Sequence, residues 1–223
     1  MRAKWDQDGE RLYELGTKKG MIYKQVGGAY PKGVAWNGLK AVNESPSGAD
    51  TTDLWAGDSK YGSLRANEEF GATIEAYTYP DDFAECDGSA EIAKGVTIGQ
   101  QTRKPFGFSY VSTVGNDQDG IDHGYKIKLV YGATASPSER SYSTINDSPD
   151  AVGFSWEVKT VPVAVKNHKP TAILTIDSTK IEADKLKKIE DILYGTDPTD
   201  GSSTGGTDPR LPLPDEIITL ISA

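Results

Sequence analysis

Apolar and polar residues alternate along most of the first three-quarters of the chain, in short runs punctuated by Gly, Asn, Asp, Ser and Pro. A period of two sends successive side chains to opposite faces of a pleated strand, so these runs predict antiparallel β structure with one face buried. In "KPFGFSYV" the pattern places Phe106, Phe108 and Tyr110 on one side, and "YKIKLVY" does the same with Tyr125, Ile127, Leu129 and Tyr131. "GFSWEVKTVPVAV" sets Phe154, Trp156 and Val158 against Ser155, Glu157 and Lys159, and Pro162 puts its far end at a sheet edge. "RLYELGTKKGMIYKQ" predicts a hairpin whose turn is bounded by Gly16 and Gly20, "VAWNGLKAV" the next strand, and "SPSGADTTDLWAGDS" a loop. "YGSLRANEEFGATIEAYTY" predicts a second hairpin. Its second arm has Phe70, Ala72, Ile74, Ala76 and Thr78 on one face and Glu69, Thr73, Glu75, Tyr77 and Tyr79 on the other. The last predicted strand is "AILTI".

The pattern then changes. "KIEADKLKKIEDILYG" repeats apolar residues at helical spacing through Leu186, Ile189 and Leu193, and Gly195 is placed to end the helix. "TDPTDGSSTGGTDP" reads as a flexible linker over residues 196–209. The ending "RLPLPDEIITLISA" is apolar again, with Asp215 placed to cap a short helix and Leu211, Leu213, Ile217, Ile218 and Leu220 placed to dock on another surface. The predicted organisation is a β domain with its helix over residues 1–195, the linker, and a docking segment over 210–223.

Composition narrows the class. Over 223 residues, 36% hydrophobic content fills a core without disulfides, and the single cysteine, Cys86, offers no disulfide framework. The segment "MRAKWDQDGERLYELG" is broken by charges and contains no apolar stretch for a signal peptide or membrane span, so cytosolic synthesis is expected. With 33 acidic against 24 basic residues the net charge is −9, and such a surface repels nucleic acid rather than gripping it.

Candidate chemistry is sparse. "GNDQDGIDHG", from Gly115 to Gly124, concentrates carboxylates and one of two histidines. Fitted to a calcium loop with Gly120 at the sixth position, it places Asp117 and Asp119 third and fifth but Gly115 first and Lys126 twelfth, so both charged end ligands are missing. His123 has no partner at zinc-ligand spacing, and Asn, Asp and Gly tolerate the left-handed backbone of a tight connection. The stretch reads as a turn, with no metal. Both histidines sit in polar contexts, "IDHGY" and "KNHKP", which disfavours a nucleophile triad. Glu68 and Glu69 read as a charged hairpin tip rather than as paired glycosidase acids. Trp36, Trp55 and Trp156 could form a sugar platform, although Trp156 alternates with core residues. No glycine-rich phosphate loop is present. The expectation is a protein without enzymatic activity or cofactor.

In order along the chain, "SPSGADTTDLWAGDSKYGSLRANEEFGATIEAYTYPDDF", "YKIKLVYGATASPSERSYSTINDSP", "TIDSTK", "KIEDILYG" and "PRLPLPDEI" closely resemble the major tail protein of long-tailed bacteriophages. The resemblance runs from about Gly33 to the C-terminal segment. It implies a mainly β tail tube fold, two packed antiparallel sheets in a β-sandwich with one flanking α-helix, in a structural virion protein. It further implies hexameric rings stacked into a hollow tube, with a β hairpin of each subunit contributing to a barrel around the lumen. The partners implied are further copies of the chain, a tape measure protein, a tail terminator and baseplate or distal tail proteins. DNA would pass through the lumen, assembly would occur in the host cytoplasm, and no membrane insertion is involved. Head-to-tail closure into a ring would also remove exposed sheet edges. The lumen is expected to be acidic, with Glu68, Glu69 and Glu75 as its candidate lining. The alternative reading is a carbohydrate-binding β-sandwich module using the tryptophans.

Overall fold

The computed structural model describes residues 2–145, 147, 151–198 and 205–222. Across these residues the strands are β1 Tyr13–Lys24, β2 Gly33–Ala35, β3 Leu39–Glu44, β4 Ser47–Gly48, β5 Thr51–Ala56, β6 Ser59–Arg65, β7 Glu68–Glu69 and β8 Gly71–Ala76. A turn of 3₁₀ helix at Asp81–Phe83 precedes β9 Ala90–Ala93, β10 Val96–Ile98, β11 Phe106–Asn116, β12 Gly120–Ala135, β13 Phe154–Thr160 and β14 Ile173–Asp177. Helices α1 Ala183–Tyr194 and α2 Pro214–Ser222 complete the fold. Neither helix is long and apolar enough to cross a membrane.

Among the described residues eight strands form one antiparallel sheet, ordered β2-β1-β11-β12-β13-β8-β3 with β14 branching from β12. The branch is possible because β12 bends. Lys126–Val130 pair with β14, whereas Ala133–Ala135 pair with β13. Gly132 lies between the two sets with φ +59°. A Cβ there would stand 2.2 Å from the Val161 carbonyl oxygen, so a side chain is excluded both by conformation and by space. The bend rolls the sheet until β3 approaches β1, so closely that a Cβ on Gly20 would stand 2.7 Å from Leu39 Cδ2.

Rolling creates two cores. Inside the curl, Phe106, Phe108 and Tyr110 of β11 meet Ala72 and Ile74 of β8, Trp156 and Val158 of β13, and Trp36 and Phe83. On the opposite face Ile127, Leu129 and Tyr131 of β12 and Tyr23 of β1 pack under Leu186, Ile189 and Leu193 of α1 and Ile217 of α2. β11 lies between these layers, and each of its residues is buried. The mainly β, antiparallel class and the flanking helix are as the pattern predicts. The two layers arise from a single folded-over sheet, and a second helix joins the first.

Three local expectations are corrected. Residues 13–24 form one continuous strand along β11, not a hairpin, with register shifts between Leu15 and Lys18 and between Lys18 and Met21. Gly16 and Lys19, at φ +68° and +51°, absorb these irregularities instead of reversing the chain. The predicted loop at 45–59 contains β4 and β5. Finally, "YGSLR" does not pair with residues 71–76. It pairs backwards with Thr51–Ala56 across a two-residue turn, Gly57 and Asp58, both in the left-handed region. That turn follows the right-handed twist of its strands and outcompetes the longer connection.

Candidate functional site

The β5–β6 hairpin protrudes from the main sheet. Among the described residues its strands pair only with each other, and every residue of the two strands but Gly62 is exposed. Trp55 is 68% exposed and Tyr61 79%, and Leu54 and Leu64 are also bare. Pairing sets Thr52 opposite Leu64 and Leu54 opposite Gly62, so one face of the ribbon is apolar. The other face is tied together by Asp53, which accepts hydrogen bonds from Ser63 Oγ at 2.6 Å and Lys60 Nζ at 2.8 Å. These contacts hold the Asp53 carboxyl below its usual range, the Lys60 bond being the main cause. The sequence signal for this hairpin was the Gly-Asp pair between two alternating runs.

The three candidate acids separate. Glu68 and Glu69 form β7, pairing with Gly48 and Ser47 at the foot of the hairpin, and both are exposed. As neighbours on one strand they point to opposite faces. Glu75 lies in the main sheet, on the outer face of β8, because Ala72, Ile74 and Ala76 take the inner one. Its carboxylate accepts a hydrogen bond from Asn43 Nδ2 at 3.0 Å and pairs with Lys40 at 3.5 Å. Glu69 and Glu75, expected on one face of one arm, therefore belong to different sheets.

The Gly115–Gly124 stretch is the turn joining β11 to β12. Buried Asn116 organises it: Oδ1 accepts the backbone N–H groups of Gln118 at 3.1 Å and Asp119 at 2.5 Å, and Nδ2 donates to Asp119 Oδ2 at 3.1 Å. His123 Nδ1 lies 3.1 Å from Asp119 Oδ2. That contact and then the Asn116 bond hold the Asp119 carboxyl low. Asp117 faces outward to the N-terminal segment, accepting from Gly9 N at 3.0 Å and Arg11 Nη1 at 3.4 Å. Both carboxylates that matched positions of the rejected calcium-loop pattern are thus engaged by protein groups.

The five apolar residues of the C-terminal segment divide. Leu211, 3% exposed, and Ile217, 1% exposed, belong to the chain's own second core. Leu211 fills the space above Gly107, where a Cβ would lie 2.4 Å from its Cδ2. Leu213 and Ile218 remain exposed, and Leu220 is partly buried. Backbone bonds anchor the segment: Arg210 N donates to the Ile192 carbonyl at 2.9 Å and Gly33 N to the Pro209 carbonyl at 2.6 Å. Tyr131 Oη donates to the Pro212 carbonyl at 3.0 Å. Asp215 does not cap α2; it accepts Lys166 N at 2.8 Å. Of the predicted linker, residues 199–204 lie outside the described residues, and its flanks meet in a bridge between Thr196 and Thr207.

The three-tryptophan platform is not assembled. Trp36 and Trp156 pack edge-to-face in the core at 5.5 Å, and Trp55 stands apart on the hairpin. Trp156 Nε1 donates to buried Asp87 at 2.9 Å, and Arg103 and Arg140 pair with the same carboxylate. Burial pushes the Cys86 thiol up to about 12, so it stays protonated and inert.

The architecture is that of a mainly β protein whose rolled antiparallel sheet carries two helices on one face. No protein-family model and no curated protein matches the chain. Among solved structures it is similar to the SPP1 tail tube, at 16% identity over 86% of this chain and 96% of that one, TM-score 0.40. It is also similar to a chain of the PVC sheath-tube complex of an extracellular contractile injection system in the extended state, at 12% identity over 71% and 88%, TM-score 0.37. A third likeness is to a chain of the anti-feeding prophage baseplate, at 8% identity over 81% and 100%, TM-score 0.35.

Proposed function

We propose that this protein is a structural, non-enzymatic tube subunit. Copies close into six-fold rings that stack into the hollow tail tube of a long-tailed bacteriophage, and DNA passes through the lumen. The β5–β6 hairpin is the observation that carries this reading. An isolated two-stranded ribbon is marginal in water; bare Leu54 and Leu64 on one face, and bare Trp55 and Tyr61 near the tip, are apolar groups of the kind that association covers. A neighbouring subunit both orders the ribbon and removes its apolar face from water.

Two further features support assembly. Among the described residues β1 pairs with β2 only over Met21–Tyr23, leaving the outer edge from Tyr13 to Lys19 open, and β14 pairs only with β12. Open edges on opposite sides of one sheet suit a ring in which each copy extends the sheet of the next. The ordered resemblance of the sequence to major tail proteins points the same way, and with it come the tape measure, terminator and baseplate proteins as partners. Leu213 and Ile218 are the residues of the C-terminal segment left for contacts between subunits.

Electron microscopy of the concentrated purified protein tests the reading. Hollow rods of uniform width are expected. The Leu54→Ser, Leu64→Ser double variant should remain a folded monomer with a melting temperature close to the parent's and lose most of its rod yield. A parent protein that stays monomeric at every concentration and is retained on a polysaccharide column would replace the tube with the carbohydrate-binding reading.

A further inference from the structure

A groove of about 630 Å³ opens beside the irregular part of β1, between Thr17–Met21, the Ala35–Leu39 connection and Tyr194 of α1. Its floor is apolar, from Met21, Trp36 and Leu39, and exposed Lys18 stands at its rim. Lys19 also lines it, held in the left-handed region at φ +51°, its ammonium 5.3 Å from the Tyr194 ring centroid and 4.0 Å from Glu190. Thr17 Oγ1 and Tyr194 Oη are buried without a hydrogen-bond partner among the described residues. Both residues line this groove. Buried hydroxyls left unpaired are a standing cost, relieved when a ligand brings a donor.

The same chain holds a segment of matching chemistry. Trp5 is 76% exposed and is followed by Asp6, Asp8 and Glu10. An indole offers an apolar body and one N–H donor, and the acids complement Lys18. In its own copy the segment does not fill the groove: Gly9 is held on Asp117, and Trp5 stands in water.

We propose that Trp5 of one copy seats in the β1–α1 groove of the next, with Asp6 against Lys18, so that N-terminal arms link neighbouring subunits. The link rests on the assembly reading for its partner, a second copy, but binding of the arm can be measured without tubes. A fluorescein-labelled peptide of residues 2–12 is titrated into the full-length Trp5→Ala protein, whose groove no sister arm can fill, and followed by polarisation. Saturable binding is expected. It should weaken about tenfold or more with a Trp5→Ala peptide, and likewise with Lys18→Glu in the receiving protein. A flat isotherm to roughly 1 mM, or equal binding by the Trp5→Ala peptide, overturns the inference. If the peptide fails while the parent protein forms hollow rods, the arm exchange falls and the tube reading stands. If the peptide binds but no rods ever form, the groove stands and the tube reading falls.

Discussion

Asp119, at the fifth position of an incomplete calcium-loop pattern that reads as a turn in the sequence, is a turn residue in the structure. Its carboxylate meets Asn116 and His123, while Asp117 holds Gly9 and Arg11. Calorimetric titration with calcium should therefore be flat, and a saturable signal abolished by Asp119→Ala would reverse this. Glu216 makes a different electrostatic prediction. Arg210 grips its carboxylate with both guanidinium arms, one at 2.9 Å, and this pairing outweighs burial to hold the carboxyl low. Since the folded pKa is below the unfolded one, the pair contributes fully above the ordinary carboxylate value of about 4.3. Its contribution is lost as pH falls through the depressed value. Protection of the α2 amides against hydrogen exchange should fall relative to α1 below about pH 4, and Glu216→Gln should already show the reduced protection at neutral pH.

At the scale of elements, β12 is where one sheet becomes two layers. Gly132 lets the strand leave β14 and take up β13, and no other residue fits its φ and the 2.2 Å approach to Val161. Gly132→Ala should cost about 2–4 kcal/mol in urea denaturation, from left-handed strain plus displacement of Val161. A loss below about 0.5 kcal/mol would mean that the bend has another origin. The hairpin shows the converse case. Its strands carry apolar residues that the monomer leaves in water, so they add little to monomer stability.

At the scale of the molecule, the arrangement of charge bears on the proposed passage of DNA. Each lysine meeting a phosphate releases counterions and adds affinity, whereas a wall of carboxylates stays slippery, and six-fold repetition multiplies the effect. Within the proposed tube, Glu68, Glu69 and Glu75 remain the candidate acidic lining, now drawn from two sheets, with Lys40 offsetting part of the charge of Glu75. A Glu69→Lys, Glu75→Lys double variant should still build tails, while DNA ejection slows in a way that added salt relieves. A tube map placing all three glutamates on the outer surface would refute the assignment.

Alternation determined a great deal by itself: the inner face of Phe106, Phe108 and Tyr110, the outer face of Ile127, Leu129 and Tyr131, and the buried side of α1 all follow from periods of two and 3.6 residues. These patterns are local, and burial of one face enforces them. Partner choice was not local. Whether "YGSLR" pairs forward with 71–76 or back with 51–56 depends on which turn closes more readily, and the two-residue Gly57–Asp58 turn prevails. Whether Gly16 reverses a strand or bulges it depends on β11 lying alongside to accept a continuous partner. The groove beside β1 had no sequence signal, because Thr17, Trp36 and Tyr194 are remote in the chain and meet only after the sheet has rolled and α1 has docked. Periodicity specifies which side of an element is buried; only tertiary packing decides what that side is buried against and which edges are left open.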